Sequence, residues 1–244
     1  MGKRGTDECG MGGGPADEGY IKYRCDWVRV GAIAPTETTD LTYYRNALHQ
    51  LNFIGEYPNG IGFGNISQRK HSSPDSTQPN QFIISGTQTG KLPTLTPADY
   101  SLVTTFDPAQ NTLTCQGLRQ ASSESLTHGV IYASHPAIGA IIHIHHAQLW
   151  QRLLHQVPTT RAEVPYGTPE MAAETQRLFR ESPLLQQRVF AMAGHEDGVV
   201  TFGETLQTAY RVLINWALMT GVFSDQKSAD ALQLPHRQRS TVQY

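Results

Sequence analysis

Residues 121–146 read ASSESLTHGVIYASHPAIGAIIHIHH. The second half of this stretch, Ala140 to His146, follows Gly139 and carries isoleucines at 141, 142 and 144, whose branched side chains favour extended backbone; it reads as a strand. In the first half, Ser122 or Ser123 precedes an apolar-periodic run that continues to about Ser134 and stops before Pro136, as a helix does. The same two patterns extend outward on both sides. From Leu41 the positions Tyr44, Leu48, Leu51 and Ile54 recur at helical spacing, with Thr38, Thr39 and Asp40 as N-cap candidates, and Gly55 to Gly60 is turn-rich. Ile61–Ile66, Gln81–Ser85, Ser101–Phe106 and Thr112–Cys115 read as strands, with a polar loop over Lys70–Asn80 and a short helical start at Thr96-Pro97. Toward the C-terminus, Pro169–Phe179 reads as a helix, Val189–Ala193 and Val199–Phe202 as a strand pair around Gly-His-Glu-Asp-Gly, and Glu204–Gly221 as a long amphipathic helix. With neither repeats nor an internal linker, this predicts one α/β domain over residues 19–225. A Gly-rich flexible arm precedes it at 1–18 and a short tail follows at 226–244.

The chain has 244 residues and a mass of 27.0 kDa, enough for a substantial core. Charged residues are 16% of the chain, against a usual ~25%, and the net charge is −2. That balance, with no run of Lys or Arg, argues against nucleic acid or an acidic membrane surface as partner. Apolar runs fall far short of the ~20 residues of a membrane helix. The opening Met-Gly-Lys-Arg-Gly-Thr lacks the apolar region of a secretory leader, although it fits the loose myristoylation pattern. Cys9, Cys25 and Cys115 are widely spaced and odd in number, without a CxxC pair. They suggest neither a disulfide scaffold nor a thiolate metal site, and a cytoplasmic setting is expected.

Three constellations carry chemistry. In Ile-His-Ile-His-His, residues 142–146, alternation sends His143 and His145 to one face and Ile142, Ile144 and His146 to the other, so two imidazoles can share one cation. A third ligand would close a zinc-type site with an open position, and His128, His135, His155 and His195 are the candidates. His195 stands in a Gly-flanked turn after an apolar strand, where loop-borne sites are built. The second constellation is Ser122-Ser123-Glu124 at a helix start, where hydroxyls and unpaired N–H groups suit an anion; Glu124 also has a plain role beside the helix dipole. The third is Gly64-Asn65-Ile66-Ser67 together with the loop Ser85–Gly90, whose backbone amides can wrap phosphate or simply form turns.

The ordered series GNIS, SGTQTG with LTPAD, SSE with His128 four residues after Glu124, HIH, YGTPEMA and GH resembles the class II aldolase/adducin family. The likeness runs from about Leu41 to Gly221, and the run Ser122–His145 matches fuculose-phosphate aldolase-like members without a gap, with Ala-Ser-Ser-Glu standing where that family has Pro-Ser-Ser-Glu. The resemblance implies a three-layer α/β/α sandwich around a largely antiparallel sheet, and a divalent cation, usually Zn2+. It implies His143, His145 and His195 as metal ligands and Glu124 as acid/base. A phosphate pocket would comprise Asn65, Thr89, Gly90, Ser122 and Ser123. It also implies a homotetramer with sites at subunit boundaries.

The activity so implied is that of a metal-dependent lyase cleaving a carbon–carbon bond in a small hydroxy-carbonyl compound, a sugar phosphate. Pentulose-phosphate 4-epimerase and methylthioribulose-phosphate dehydratase chemistry are the alternatives, and the adducins use the fold as an interaction module. Three departures stand out. The turn around His195 is slightly longer and adds Glu196 and Asp197 beside the expected cation. The stretch from His145 to Tyr166, where the sugar-phosphate aldolases place part of their substrate wall, is markedly shorter. Ser85-Gly86-Thr87 and Thr89-Gly90 both fit the phosphate turn, the second by its position before Leu95-Thr96-Pro97.

Overall fold

Along strand β8 (Ala140–His145) the side chains divide between two apolar clusters: Ala140, Ile142 and Ile144 enter one, Ile141 the other. The strand is buried along its whole length, each fully buried isoleucine contributing about 1.5–3 kcal/mol. Period-2 alternation therefore sets His143 and His145 on the side of Ile141.

The computed structural model describes residues 21–70 and 80–223. The arm at 1–18 with its myristoylation pattern and Cys9, the polar loop at 71–79 and the tail at 226–244 lie outside the described residues. The other elements in chain order are β1 (Arg24–Val28), α1 (Pro35–Gln50), β2 (Gly55–Glu56), β3 (Gly62–Phe63), β4 (Asn65–Arg69) and β5 (Phe82–Ser85). A 3₁₀ turn at Pro97–Asp99 leads into β6 (Tyr100–Asp107), β7 (Thr112–Gly117) and α2 (Ser125–Ser134). After β8 come α3 (Ala147–Leu153), α4 (Pro169–Glu181), α5 (Leu184–Gln187), β9 (Val189–Ala191), β10 (Gly198–Gly203) and α6 (Leu206–Met219). Eight strands form one mixed, mostly antiparallel sheet in the order β1-β7-β6-β5-β4-β8-β10-β9, with β1 parallel to β7. Leu41 and Leu48 of α1 and Leu213 and Ile214 of α6 pack into the cluster of Ile142 and Ile144. Leu126 and Ile131 of α2 and Met171 and Leu178 of α4 pack into that of Ile141. Among the described residues, no helix is long and apolar enough to cross a membrane.

Several boundaries differ from the sequence-based expectation, each for a local reason. Helix α1 starts at Pro35, before the expected caps, because proline at the first helical position lacks an N–H that would be orphaned anyway and Glu37 complements the dipole. The run Ile61–Ile66 is split at Gly64. Its φ of +74° and the 2.8 Å that a Cβ would have to the Ile54 side chain require glycine there. Upstream of it, β3 pairs with β2 in a separate hairpin, and downstream β4 joins the main sheet. Helix α2 opens at Ser125 with Glu124 at its N-cap position. Ser122 and Ser123 form the turn before it, the Ser122 Oγ accepting from the Glu124 N–H at 3.4 Å and the Ser122 carbonyl from the Ser125 hydroxyl at 2.6 Å. Strand β1 and helices α3 and α5 have no counterpart in the sequence-based expectation.

Candidate active site

β8 lies between β4 and β10, with Asn65 and Val200 opposite His143 and Gly198 opposite His145. His195 is supplied by the turn from β9 to β10. There the His195 N–H donates to the Met192 carbonyl at 3.2 Å and the Gly198 N–H to the His195 carbonyl at 3.0 Å, while Asp197 adopts a left-handed φ of +65°. The turn folds back over the strand. Ring centroids stand 4.9 Å apart for His143 and His145, 5.3 Å for His143 and His195, and 4.6 Å for His145 and His195. Each imidazole offers one nitrogen such that all three lie within 4.8 Å of one another, and all three residues are buried.

The residues fit a divalent cation. His143 Nε2 is buried without a hydrogen-bond partner, an arrangement that costs free energy unless something else engages it. Burial, followed by the neighbouring His145, His195 and His128, holds the His143 imidazole well below its ordinary pKa and so in the neutral form a metal requires. The ring orientations are fixed from outside. Tyr57 Oη is 2.7 Å from His145 Nδ1, and the Asn65 amide is 3.3 Å from His143 Nδ1. As placed, the Asn65 Nδ2 faces that nitrogen and its Oδ1 has no hydrogen-bond partner among the described residues; turning the amide by 180° brings Oδ1 to accept Nδ1–H and leaves the Nε2 lone pair for a cation, the way outer hydrogen bonds orient metal-binding histidines. Tyr166 stacks on His195 at 4.2 Å and 18°, with Lys22 Nζ 3.8 Å from the centroid of the Tyr166 ring.

Glu124 is 1% exposed, and its side chain makes no cap hydrogen bond. Its Oε2 accepts the Thr127 hydroxyl at 3.1 Å, and Oε1 is turned to the histidines, 4.0 Å from His195 Nδ1. Among the described residues, the other histidines lie outside the cluster. His128 is buried on α2, its Nδ1 2.7 Å from the Ser67 hydroxyl and its pKa pushed down by burial to about 3. His135 Nδ1 accepts from the Ala137 N–H, and His155 is exposed. His146, on the opposite face of β8, accepts the Leu149 N–H to cap α3. Glu196 is exposed and Asp197 half-buried, and neither joins the three imidazoles.

All five residues expected around an anion line one small pocket: Asn65 with Gly62 and Gly64, Thr89 and Gly90 with Gly86, Thr87 and Gln88, and Ser122 with Ser123. Both candidate turns thus contribute to it. The Thr89 hydroxyl donates to the Gly86 carbonyl at 2.8 Å, so its proton closes the loop. A Cβ at Gly90 would lie 2.5 Å from the Gly55 carbonyl oxygen, so only glycine fits against the hairpin. Beneath the loop, the fully buried Arg45 of α1 donates to the carbonyls of Thr89 (2.7 Å), Gly90 (2.8 Å) and Leu92, holding all three toward the core. Sequence reading missed Arg45, Tyr57 and Tyr166 because their roles come from long-range contacts.

A family model for the class II aldolase and adducin N-terminal domain matches residues 59–218. The chain belongs to this family. Among solved structures, this class II aldolase-fold chain is similar to the sugar-phosphate aldolase from Thermotoga maritima. The TM-score is 0.57 at 16% identity, over 83% of this chain and 97% of that chain. The L-fuculose-1-phosphate aldolase from Thermus thermophilus gives 0.54 at 19%, over 75% and 90%. An aldolase II superfamily protein from Pseudomonas syringae gives 0.53 at 13%, over 85% and 89%. At these identities the likeness is one of fold.

Proposed function

We propose that the protein is a metal-dependent lyase that cleaves a carbon–carbon bond in a small hydroxy-carbonyl compound, a sugar phosphate. The observation that carries this reading is the buried triad of imidazole nitrogens within 4.8 Å of one another, with the Glu124 carboxylate 4.0 Å from one of the three rings. His143, His145 and His195 would hold the cation, Zn2+ being the ion the donor set favours. When bound, it supplies Lewis acidity toward a carbonyl and its neighbouring hydroxyl.

The chain's own groups do the rest. Glu124 carries the mobile proton at Oε1, giving it to the carbon released in cleavage and taking it back in condensation, general acid–base work of about 10²–10⁴-fold. Backbone amides around Thr89, Gly90, Ser122 and Ser123, with Asn65 at the boundary to the histidines, bind the phosphate. Its binding energy orients the reacting carbon. The same reading has helices on both faces of the sheet in an α/β/α sandwich, a cytoplasmic setting and a homotetrameric assembly.

A panel of ketose phosphates with product analysis tests this: a lyase releases two carbonyl fragments, an epimerase none and a dehydratase water. Glu124→Gln is expected to keep the wild-type metal content while losing turnover by about 10²–10⁴-fold. Wild-type turnover in that variant would return Glu124 to a structural role, and absence of any carbonyl product across the panel would overturn the lyase assignment.

A further inference from the structure

Strand β1 forms one edge of the sheet, and its parallel register on β7 sets Cys25 opposite Leu113 and Trp27 opposite Cys115. Although 90 positions apart in sequence, the two cysteines meet diagonally across this pair with their Sγ atoms 3.4 Å apart. Both are free thiols. The pair is asymmetric: Cys115 is fully buried, whereas Cys25 is half-buried and lines a surface cleft of about 490 Å³ with Arg24, Asp26, Asp107 and Thr112. Nothing in the proposed lyase chemistry uses either sulfur.

We propose that Cys25 and Cys115 form a redox modification site, a dithiol that a small hydroperoxide entering from the cleft oxidises reversibly to an intrachain disulfide. In the first step the Cys25 thiolate attacks the terminal peroxide oxygen. The O–O bond breaks, the sulfur becomes a sulfenic acid, and with hydrogen peroxide the leaving hydroxide takes a proton to become water. In the second step the Cys115 sulfur, having lost its proton, attacks the Cys25 sulfur. The S–S bond forms, and the sulfenic hydroxyl leaves as a second water. Overall, two thiols are oxidised and one peroxide is reduced.

Three features support this order. The cleft reaches Cys25 and the core encloses Cys115, so the first attack falls on Cys25. The hydrogen bond between the two sulfurs draws the Cys25 thiol down, and the same contact and burial push that of Cys115 up, in line with the half-buried sulfur attacking first. Closure from 3.4 Å to the ~2.05 Å of a disulfide draws β1 toward β7, and β1, which among the described residues is paired on one side only, can follow it.

The test uses the full-length chain with Cys9→Ser, which removes the third thiol as a competitor. After reduction and desalting, a stoichiometric pulse of hydrogen peroxide is expected to lower the intact mass by two hydrogens. Non-reducing peptide mapping should find Cys25 joined to Cys115, and dithiothreitol should restore the starting mass. In Cys115→Ser the reaction should stop at a sulfenic acid on Cys25 that dimedone traps, and in Cys25→Ser the remaining thiol should react at least ten-fold more slowly. Irreversible addition of oxygen to either cysteine without a Cys25–Cys115 peptide in the unsubstituted pair would overturn the proposal. So would first labelling at Cys115.

Discussion

Replacing Arg45 with alanine gives the sharpest prediction about how the fold sustains the proposed anion pocket. The guanidinium is 1% exposed, and its fork donates to three carbonyls, those of Thr89, Gly90 and Leu92. Burial draws its pKa down to about 10, so it remains charged at neutral pH and each bond is charge-assisted. Truncation strips two buried acceptors and one part-buried one of their donors, at about 1–3 kcal/mol for each buried group, and leaves a cavity, but removes the desolvation cost of the cation; the net loss is about 3–5 kcal/mol. For a domain of this size that lowers Tm by roughly 10 °C. The carbonyls will also turn to seek water, rotating the amides that should face phosphate, so inorganic phosphate binding should weaken at least ten-fold below the melting temperature. Arg45→Lys keeps the charge but not the fork and should fall between the two. Calorimetry and isothermal titration with phosphate measure both effects. A Tm within about 2 °C of wild type together with unchanged phosphate affinity would refute the idea that these bonds hold the loop.

Tyr57→Phe keeps the ring that packs at 4.6 Å on Phe63 but removes the hydroxyl 2.7 Å from His145 Nδ1. It should weaken metal affinity by about 10–100-fold with little change in Tm, measurable by competition with a chromophoric chelator; equal affinity would remove Tyr57 from the site. The buried Glu174 carboxylate has its pKa lowered chiefly by the Arg177 guanidinium, bonded at 2.6 and 2.9 Å, with the Arg161 N–H also donating at 2.9 Å. Its stabilisation is therefore complete above the unfolded-state pKa and disappears as pH falls through the lower folded-state value. Glu174→Gln should cost about 1.5–3 kcal/mol at pH 7 and flatten the acid limb of the stability profile; parallel acid limbs would contradict this.

The parts of this molecule legible in its sequence are those fixed by short-range periodicity. In Ile-His-Ile-His, alternation alone puts His143 and His145 on one face, and the structure places both on the side of Ile141. His195 is recognisable as a candidate from its Gly-flanked turn, but so are His128, His135 and His155 as histidines within reach of the sequence argument. Only pairing of β10 with β8 brings that turn onto the strand. The start of α2 is ambiguous in sequence because Ser122, Ser123 and Glu124 form a run of residues suited to a helix start, and which of them occupies the cap depends on how the pocket turn uses the serines. Strand β1 is legible but overlooked: Ile21, Tyr23, Cys25 and Trp27 alternate with Lys22, Arg24 and Asp26 and enter one apolar cluster, whereas its parallel partner β7 lies far along the chain and cannot be read from the segment itself. For the same reason Arg45 reads as an ordinary polar helix residue, and Cys25 and Cys115 as unrelated thiols.

The proposed chemistry requires three imidazoles, two from β8 and one from the turn before β10, to bind one cation. Metal content per chain, by mass spectrometry after loading with Zn2+ and exhaustive dialysis, tests it directly in the wild type and in single alanine variants of His143, His145 and His195, with His128→Ala as the control. About one tightly held ion is expected in the wild type and in the control, with loss of retention in each of the three variants. Full metal content in those three variants, or none in a folded wild type, would contradict it.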